Sequence, residues 1–130
     1  MNLARTIYRY LVVVLVVDVV VQFFLAGAGV FRADGGVAHE SSAFDPHRTN
    51  GTVIQFIALL VLLAAIAARN GRWKPALAVF VLSIVQIFLA IGGWAGGLHP
   101  LGGLLILGIS GWMAHDAWRG RSSAEVSRQA

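Results

Sequence analysis

Four stretches of this chain, residues 10–30, 52–68, 75–93 and 98–118, each come close to the roughly 20 mostly apolar residues that cross a bilayer's hydrocarbon core. In lipid no water is at hand for backbone N–H and C=O groups, so such a stretch satisfies them internally, as a helix. The expected fold is therefore all-α, a transmembrane four-helix up-down bundle occupying residues 1–119. Residues 120–130 are polar and are expected as a disordered cytoplasmic tail. A soluble domain of 130 residues is excluded by a chain that is 58% hydrophobic and only 12% charged, with a mean hydropathy of +0.76.

The first stretch has basic residues before it and small residues after it, as a secretory signal peptide does. Its apolar run exceeds the roughly 7–15 residues of a signal-peptide core, so it is read as a retained span. Eight of the ten Lys and Arg residues lie before the first span (Arg5, Arg9), between the second and third (Arg69, Arg72, Lys74) or after the fourth (Arg119, Arg121, Arg128). Only Arg32 and Arg48 lie elsewhere. The positive-inside rule then puts both termini in the cytoplasm, with the chain in the cell membrane. The net charge of +4 reflects this orientation and anionic lipid headgroups, with no nucleic-acid partner implied. With no cysteine in the sequence, disulfides, thiolate metal sites and iron–sulfur clusters are excluded.

The connection over residues 31–50 is the one long loop, and long loops in compact proteins are often functional. Asp45-Pro46 reads as an N-cap followed by proline in the first turn of the second span. Residues 69–74, with Asn70-Gly71 at their centre, form a short hairpin connection. Trp73, Trp94 and Trp118, with Tyr8 and Tyr10, fall near span ends and are expected as interfacial anchors.

The chain also repeats itself. Residues 22–29 (Gln-Phe-Phe-Leu-Ala-Gly-Ala-Gly) and 86–93 (Gln-Ile-Phe-Leu-Ala-Ile-Gly-Gly) agree at five of eight positions. Each copy is followed by His-x-x-x-Gly, at His47 with Gly51 and at His99 with Gly103. The bundle is thus expected as two parallel helical-hairpin repeats related by an axis along the membrane normal. Each repeat delivers one histidine to the head of its second helix, and the two helices stand diagonally opposite. The two imidazoles share one depth near the outer face and can point at a common centre, as a metal held between two rings requires.

Gly27, Gly29, Gly92 and Gly93 fall at that outer level and are expected to leave a slot for a flat macrocycle, with Gly51 and Gly103 about one turn below each histidine. Haem b, its iron held by His47 and His99, fits this pattern better than zinc, which takes four ligands. Arg48 and Arg32 are the cations available at that end for haem propionates, or else are solvated loop residues. Alternatively, each histidine only caps a helix or bonds within a polar interface.

Gln22 and Gln86, related by the repeat, are expected to hydrogen-bond between helices or to touch the cofactor. Asp18 is the carboxylate deep in the first span; it is expected to be protonated, to bond Ser83 or Ser110, or to belong to a proton path. His115-Asp116 lies about 24 Å along the fourth span from His99, too far to share its metal. His39 and Glu40 in the loop are expected to be solvated, with a catalytic part as the alternative.

At Asp45-Pro-His-Arg48, heading the second span, and from Gln86 through Leu-Ala-Ile-Gly-Gly to Leu98-His-Pro-Leu, the chain resembles one four-helix half of the heme A synthase family. The similarity covers roughly residues 22–109 and extends also to short four-span membrane families. It implies that His47 and His99 are axial haem ligands. Family members have two such halves, whereas this chain has one. The leading functional expectation is a small b-type haem-binding membrane protein for electron transfer or haem handling, alone, as a homodimer or as a subunit of a larger membrane complex. The alternatives are a cofactor-free accessory or scaffold subunit and a haem-modifying enzyme.

Overall fold

The computed structural model describes residues 3–36, 39–69, 71–91 and 96–126. Among them are four long helices, one short helix and no strand. In chain order they are α1 (Leu3–Asp34), α2 (Glu40–Ala43), α3 (Asp45–Ala68), α4 (Trp73–Ala90) and α5 (Leu98–Val126).

The helix ends follow local chemistry. α1 is longer than expected at both ends, and residues 31–34 are helical where a loop was expected. Gly27 and Gly29 do not stop it, since a glycine costs a helix interior only about 1 kcal/mol. The stop comes at Gly35-Gly36. There the two amides bond back to the carbonyls of Phe31 and Ala33, and Gly36 takes the left-handed φ of +65° that glycine alone adopts freely. The following segment contains the short helix α2, which was not foreseen. α3 starts at Asp45 with Pro46 in its first turn, so the N-cap is Phe44, one residue earlier than expected. α3 ends as Arg69 turns left-handed at φ +47°, its amide bonding the Ile66 carbonyl. Gly71 follows at φ +72°, and α4 begins two residues later. Asn70 lies outside the described residues. α5 is carried to Val126, so its last turns fall in the polar stretch expected as a tail; residues 127–130 lie outside the described set.

α1 packs on α3 and α5, and α4 packs on α3 and α5. Among the described residues, no backbone contact joins α1 to α4 or α3 to α5. The four long helices thus stand at the corners of an up-down ring, with α3 and α5 on one diagonal. Three of them, α1, α3 and α4, are long and apolar enough to cross a membrane. α5 falls short on composition, because Gly102, Gly103, Gly108 and Gly111 and the polar pairs at its ends dilute its apolar residues. Its place in the bundle comes from packing.

Each helix turns one stripe inward at the i, i+3/i+4 spacing of a helix face. The buried stripes are Tyr8, Val12, Leu15 and Val19 on α1, and Ile54, Ala58, Val61, Ala65 and Ala68 on α3. On α4 they are Ala76, Val79 and Ser83, and on α5 Ile106, Ser110, Met113 and Ala117. Alanines on α3 let the α1 and α4 backbones come close, as small residues do between membrane helices. Tyr8, expected as an interfacial anchor, is instead a core residue at 1% exposure, because it opens the inward stripe of α1. Tyr10, Trp73 and Trp118 are exposed, and Trp118 meets Tyr10 edge to face at 6.1 Å. Trp94 lies outside the described residues. At this end of the bundle Arg72, in the α3–α4 turn, pairs with Asp116 of α5 at 2.6 Å.

Candidate functional site

Following the same inward stripes toward the other end of the bundle, the residue types change on all four helices at one level. Beyond Val19 the stripe of α1 reaches Gln22 and Phe23. Before Ile54 that of α3 holds His47, Asn50 and Gly51. Beyond Ser83, α4 presents Gln86, and before Ile106, α5 presents His99, Gly102 and Gly103. Alanines and valines give way to amides, glycines and imidazoles, so the apolar core stops and a more polar layer begins.

His47 and His99 meet in this layer. Their ring centroids are 5.8 Å apart with planes inclined at 71°. The helices carrying them make no backbone contact, so the two side chains bridge the diagonal of the ring of helices. The repeat also holds at the level of hydrogen bonds. His47 Nδ1 donates to the Gln22 carbonyl at 3.2 Å, and His99 Nδ1 donates to the Gln86 carbonyl at 3.0 Å. A carbonyl only accepts, so each bond fixes the proton on Nδ1 and leaves the lone pair of the neutral ring on Nε2. This is the tautomer in which a histidine can bind a metal through Nε2, with its other nitrogen oriented by a backbone acceptor. Two metal–imidazole bonds of about 2 Å each, plus the two ring radii, would set centroids about 6 Å apart. Among the described residues, no third His, Asp or Glu joins the pair to make a larger metal-binding group.

The two halves differ in their amides. The Gln22 side chain bonds across to α3, donating to the His47 carbonyl at 3.0 Å, and its Nε2 also lies 3.4 Å from His47 Nε2. Asn50 donates to Gln22 Oε1 at 3.0 Å, which sets the direction of that amide. Gln22 thus makes the interhelical bonds expected of it. In the second half the position matching Asn50, three residues past the histidine, is Gly102. Both polar atoms of the Gln86 side chain are buried without a partner among the described residues, and the amide nitrogen lies where a Cβ on Gly102 would stand. Sequence reasoning passed over Asn50, although its spacing from His47 placed it on the same inward stripe.

The expectation that repeat glycines open a slot is corrected at Gly29. A Cβ there would fall 2.7 Å from the Phe44 ring, so the space is already filled by the residue that caps α3. Phe44 also meets His47 at 6.4 Å between centroids. Gly51 and Gly103 likewise receive side chains, those of Gln22 and Phe23 respectively. Around Gly27 there is open space. Gly92 and Gly93 lie outside the described residues.

Arg48 is mostly exposed and pairs with Asp45 at 3.0 Å; Arg32 is exposed in the last turn of α1. Both stand at the histidine end. Asp18 lies one turn inward of Gln22, its backbone carbonyl 3.4 Å from the Asn50 amide and its Oδ2 buried without a partner among the described residues. The bonds expected from Ser83 or Ser110 are not made: both hydroxyls donate within their own helices, to Phe80 and Ile106 carbonyls at 2.7 Å. Hydroxyls in apolar helices commonly bond back in this way. His115 is exposed at the far end of α5, and His39 is exposed ahead of α2.

No curated protein and no solved structure matches this chain. A family model does match, over residues 22–96, more than half of the 130 residues. The matched region starts at Gln22, includes His47, Asn50 and Gln86, and ends before His99. The chain belongs to that family, the family of unknown function DUF6220.

Proposed function

We propose that this chain is a small b-type haem-binding membrane protein, in which His47 and His99 would hold the iron through Nε2, serving electron transfer or haem handling within a larger membrane assembly. The observation that carries the reading is the symmetric pair of Nδ1–carbonyl bonds behind two rings 5.8 Å apart. A metal-binding histidine almost always donates its other ring N–H to an acceptor of this kind. The residues present fit the group in donor type, two neutral imidazoles with Nε2 free of a proton. Gln86, with an unpartnered amide beside Gly102, and Phe44, seated over Gly29, are the side chains that would turn aside for a macrocycle.

Haem iron with two imidazole ligands supplies one-electron chemistry and no open coordination position. The chain's own residues would hold and orient it. The Gln22 and Gln86 carbonyls fix the ring planes, and Asn50 steadies Gln22. Arg48 and Arg32 are the cations at that end for carboxylate groups. The distribution of Lys and Arg supports an orientation with this end on the outer side of the cell membrane and both termini in the cytoplasm.

One observation favours a second reading, a cofactor-free accessory subunit. His47 already has an acceptor on Nδ1 and an amide near Nε2, and aromatic rings cover two of the glycines. A visible spectrum of detergent-purified protein expressed with ample haem separates the two. The haem reading expects a Soret band that is lost in the His47→Ala, His99→Ala double variant, with helicity retained. Colourless protein establishes the cofactor-free reading instead, and a band indifferent to both substitutions overturns the histidine pair as the ligands.

A further inference from the structure

Along the outer seam between α4 and α5 runs an open groove of about 580 Å³, lined by Lys74, Pro75 and Ala78 on one helix and by Leu104, Gly108 and Trp112 on the other. Short side chains make it concave. Pro75 and Ala78 form one wall, and a Cβ on Gly108 would meet nothing within 4 Å. Trp112 and Leu104 stand up on either side of that gap, both exposed.

The groove has a direction. From Leu104 to Trp112 is eight residues, about 12 Å along a helix. Lys74 lies beyond Trp112, at the level where Arg72 pairs with Asp116. The groove therefore runs from the α3–α4 turn to near mid-membrane, the depth of one leaflet, about 15 Å of a 30 Å core. Its walls are apolar apart from one cation at the outer end of that leaflet. The Lys74 ammonium is exposed there, 5.8 Å from the Trp73 ring centroid.

We propose that this groove holds an acyl chain of an anionic diacyl phospholipid from the leaflet that meets the α3–α4 turn, with the lipid phosphate against the Lys74 ammonium. One anion at headgroup depth with a single leaflet's length of hydrocarbon behind it is the complement of this surface. A helix from a second copy would cross both leaflets, where the groove spans one, and would bury Lys74 against protein at the cost of its hydration. The volume lies in the range of small-molecule sites, about 300–1,000 Å³.

The sequence has four tryptophans, so Trp73→Phe, Trp94→Phe and Trp118→Phe leave Trp112 as the only indole, in the groove wall, and keep a ring beside Lys74. In vesicles of phosphatidylcholine doped with brominated phosphatidylglycerol or brominated phosphatidylcholine, Trp112 emission reads which chain sits in the groove. The expected result is half-quenching at an about fivefold lower fraction of the anionic lipid, the preference one surface lysine confers. Lys74→Gln should merge the two curves, and Gly108→Leu, which fills the floor, should weaken quenching by both. Circular dichroism checks that each variant is helical; if Gly108→Leu does not insert, Lys74→Gln alone decides. Coincident curves before any change at Lys74 overturn the proposal. So does a Gly108→Cys form, in a chain with no cysteine of its own, that oxidises to a dimer in vesicles.

Discussion

A tyrosine shows how position on a helix face outweighs residue type. Tyr8 is 1% exposed, and its hydroxyl is buried without a partner among the described residues. An unpartnered buried hydroxyl costs about 1–3 kcal/mol, while the ring contributes by filling space. Tyr8→Phe is therefore expected to leave stability unchanged or to raise it by about 1 kcal/mol, and Tyr8→Ala to lower it by about 3 kcal/mol or more. Reversible unfolding in mixed micelles would measure both; a clear loss in the phenylalanine variant would mean that the hydroxyl has a partner after all. An aromatic residue two positions before the start of an apolar run looks like an interfacial anchor in sequence. Only the phase of the stripe, set by what α3 and α5 place opposite, turns it inward. The histidines were legible for the opposite reason, since the repeat tied each to a glutamine that became its hydrogen-bond acceptor. Phe44 was not legible, because the glycine it covers lies on α1, fifteen residues away, and nothing local marks the pair.

Among the elements, α3 is the one on which packing depends most. It lies between α1 and α4, and its inward face is largely alanine: Ala58, Ala65 and Ala68 are each 1% exposed. Inserting methylenes into so close a contact costs about 1–3 kcal/mol, because backbones must separate. Ala65→Leu should lower stability by that amount, whereas Ala67→Leu, two residues on and facing outward, should be nearly silent. Equal effects at the two positions in the same unfolding assay would contradict the assigned face. The spans of α3 and α4 were readable from apolar length and from Pro46 and Gly71. The ends of α1 were not, because Gly27 and Gly29 resemble a stop while being tolerated inside a helix. The short α2 carries no periodicity of its own and could not have been anticipated.

At the scale of the molecule, the up-down ring and its diagonal histidines followed from the four apolar runs and the repeat. What the repeat could not convey is the inequivalence of its halves, since Asn50 against Gly102 is a single difference in otherwise matching frames. Orientation is open to a direct check, because the chain has no cysteine of its own. A membrane-impermeant thiol reagent applied to intact cells is expected to label Ser42→Cys, in the long connection, and to spare Gly71→Cys, in the short turn. The reverse pattern would invert the topology and place the histidine pair on the cytoplasmic side.

The switch of the inward stripes from alanine and valine to amide, glycine and imidazole divides resistance to unfolding along the bundle axis. Dispersion and close approach act on the half nearer the α3–α4 turn; the opposite half is joined by a handful of directional bonds and two phenylalanine rings set against glycines. Breathing motions should accordingly start among the first turns of α3 and α5, with deuterium entering their amides well before those around Val61, Val79 and Met113. The half around Val61, Val79 and Met113 is expected to keep its shape while those turns open.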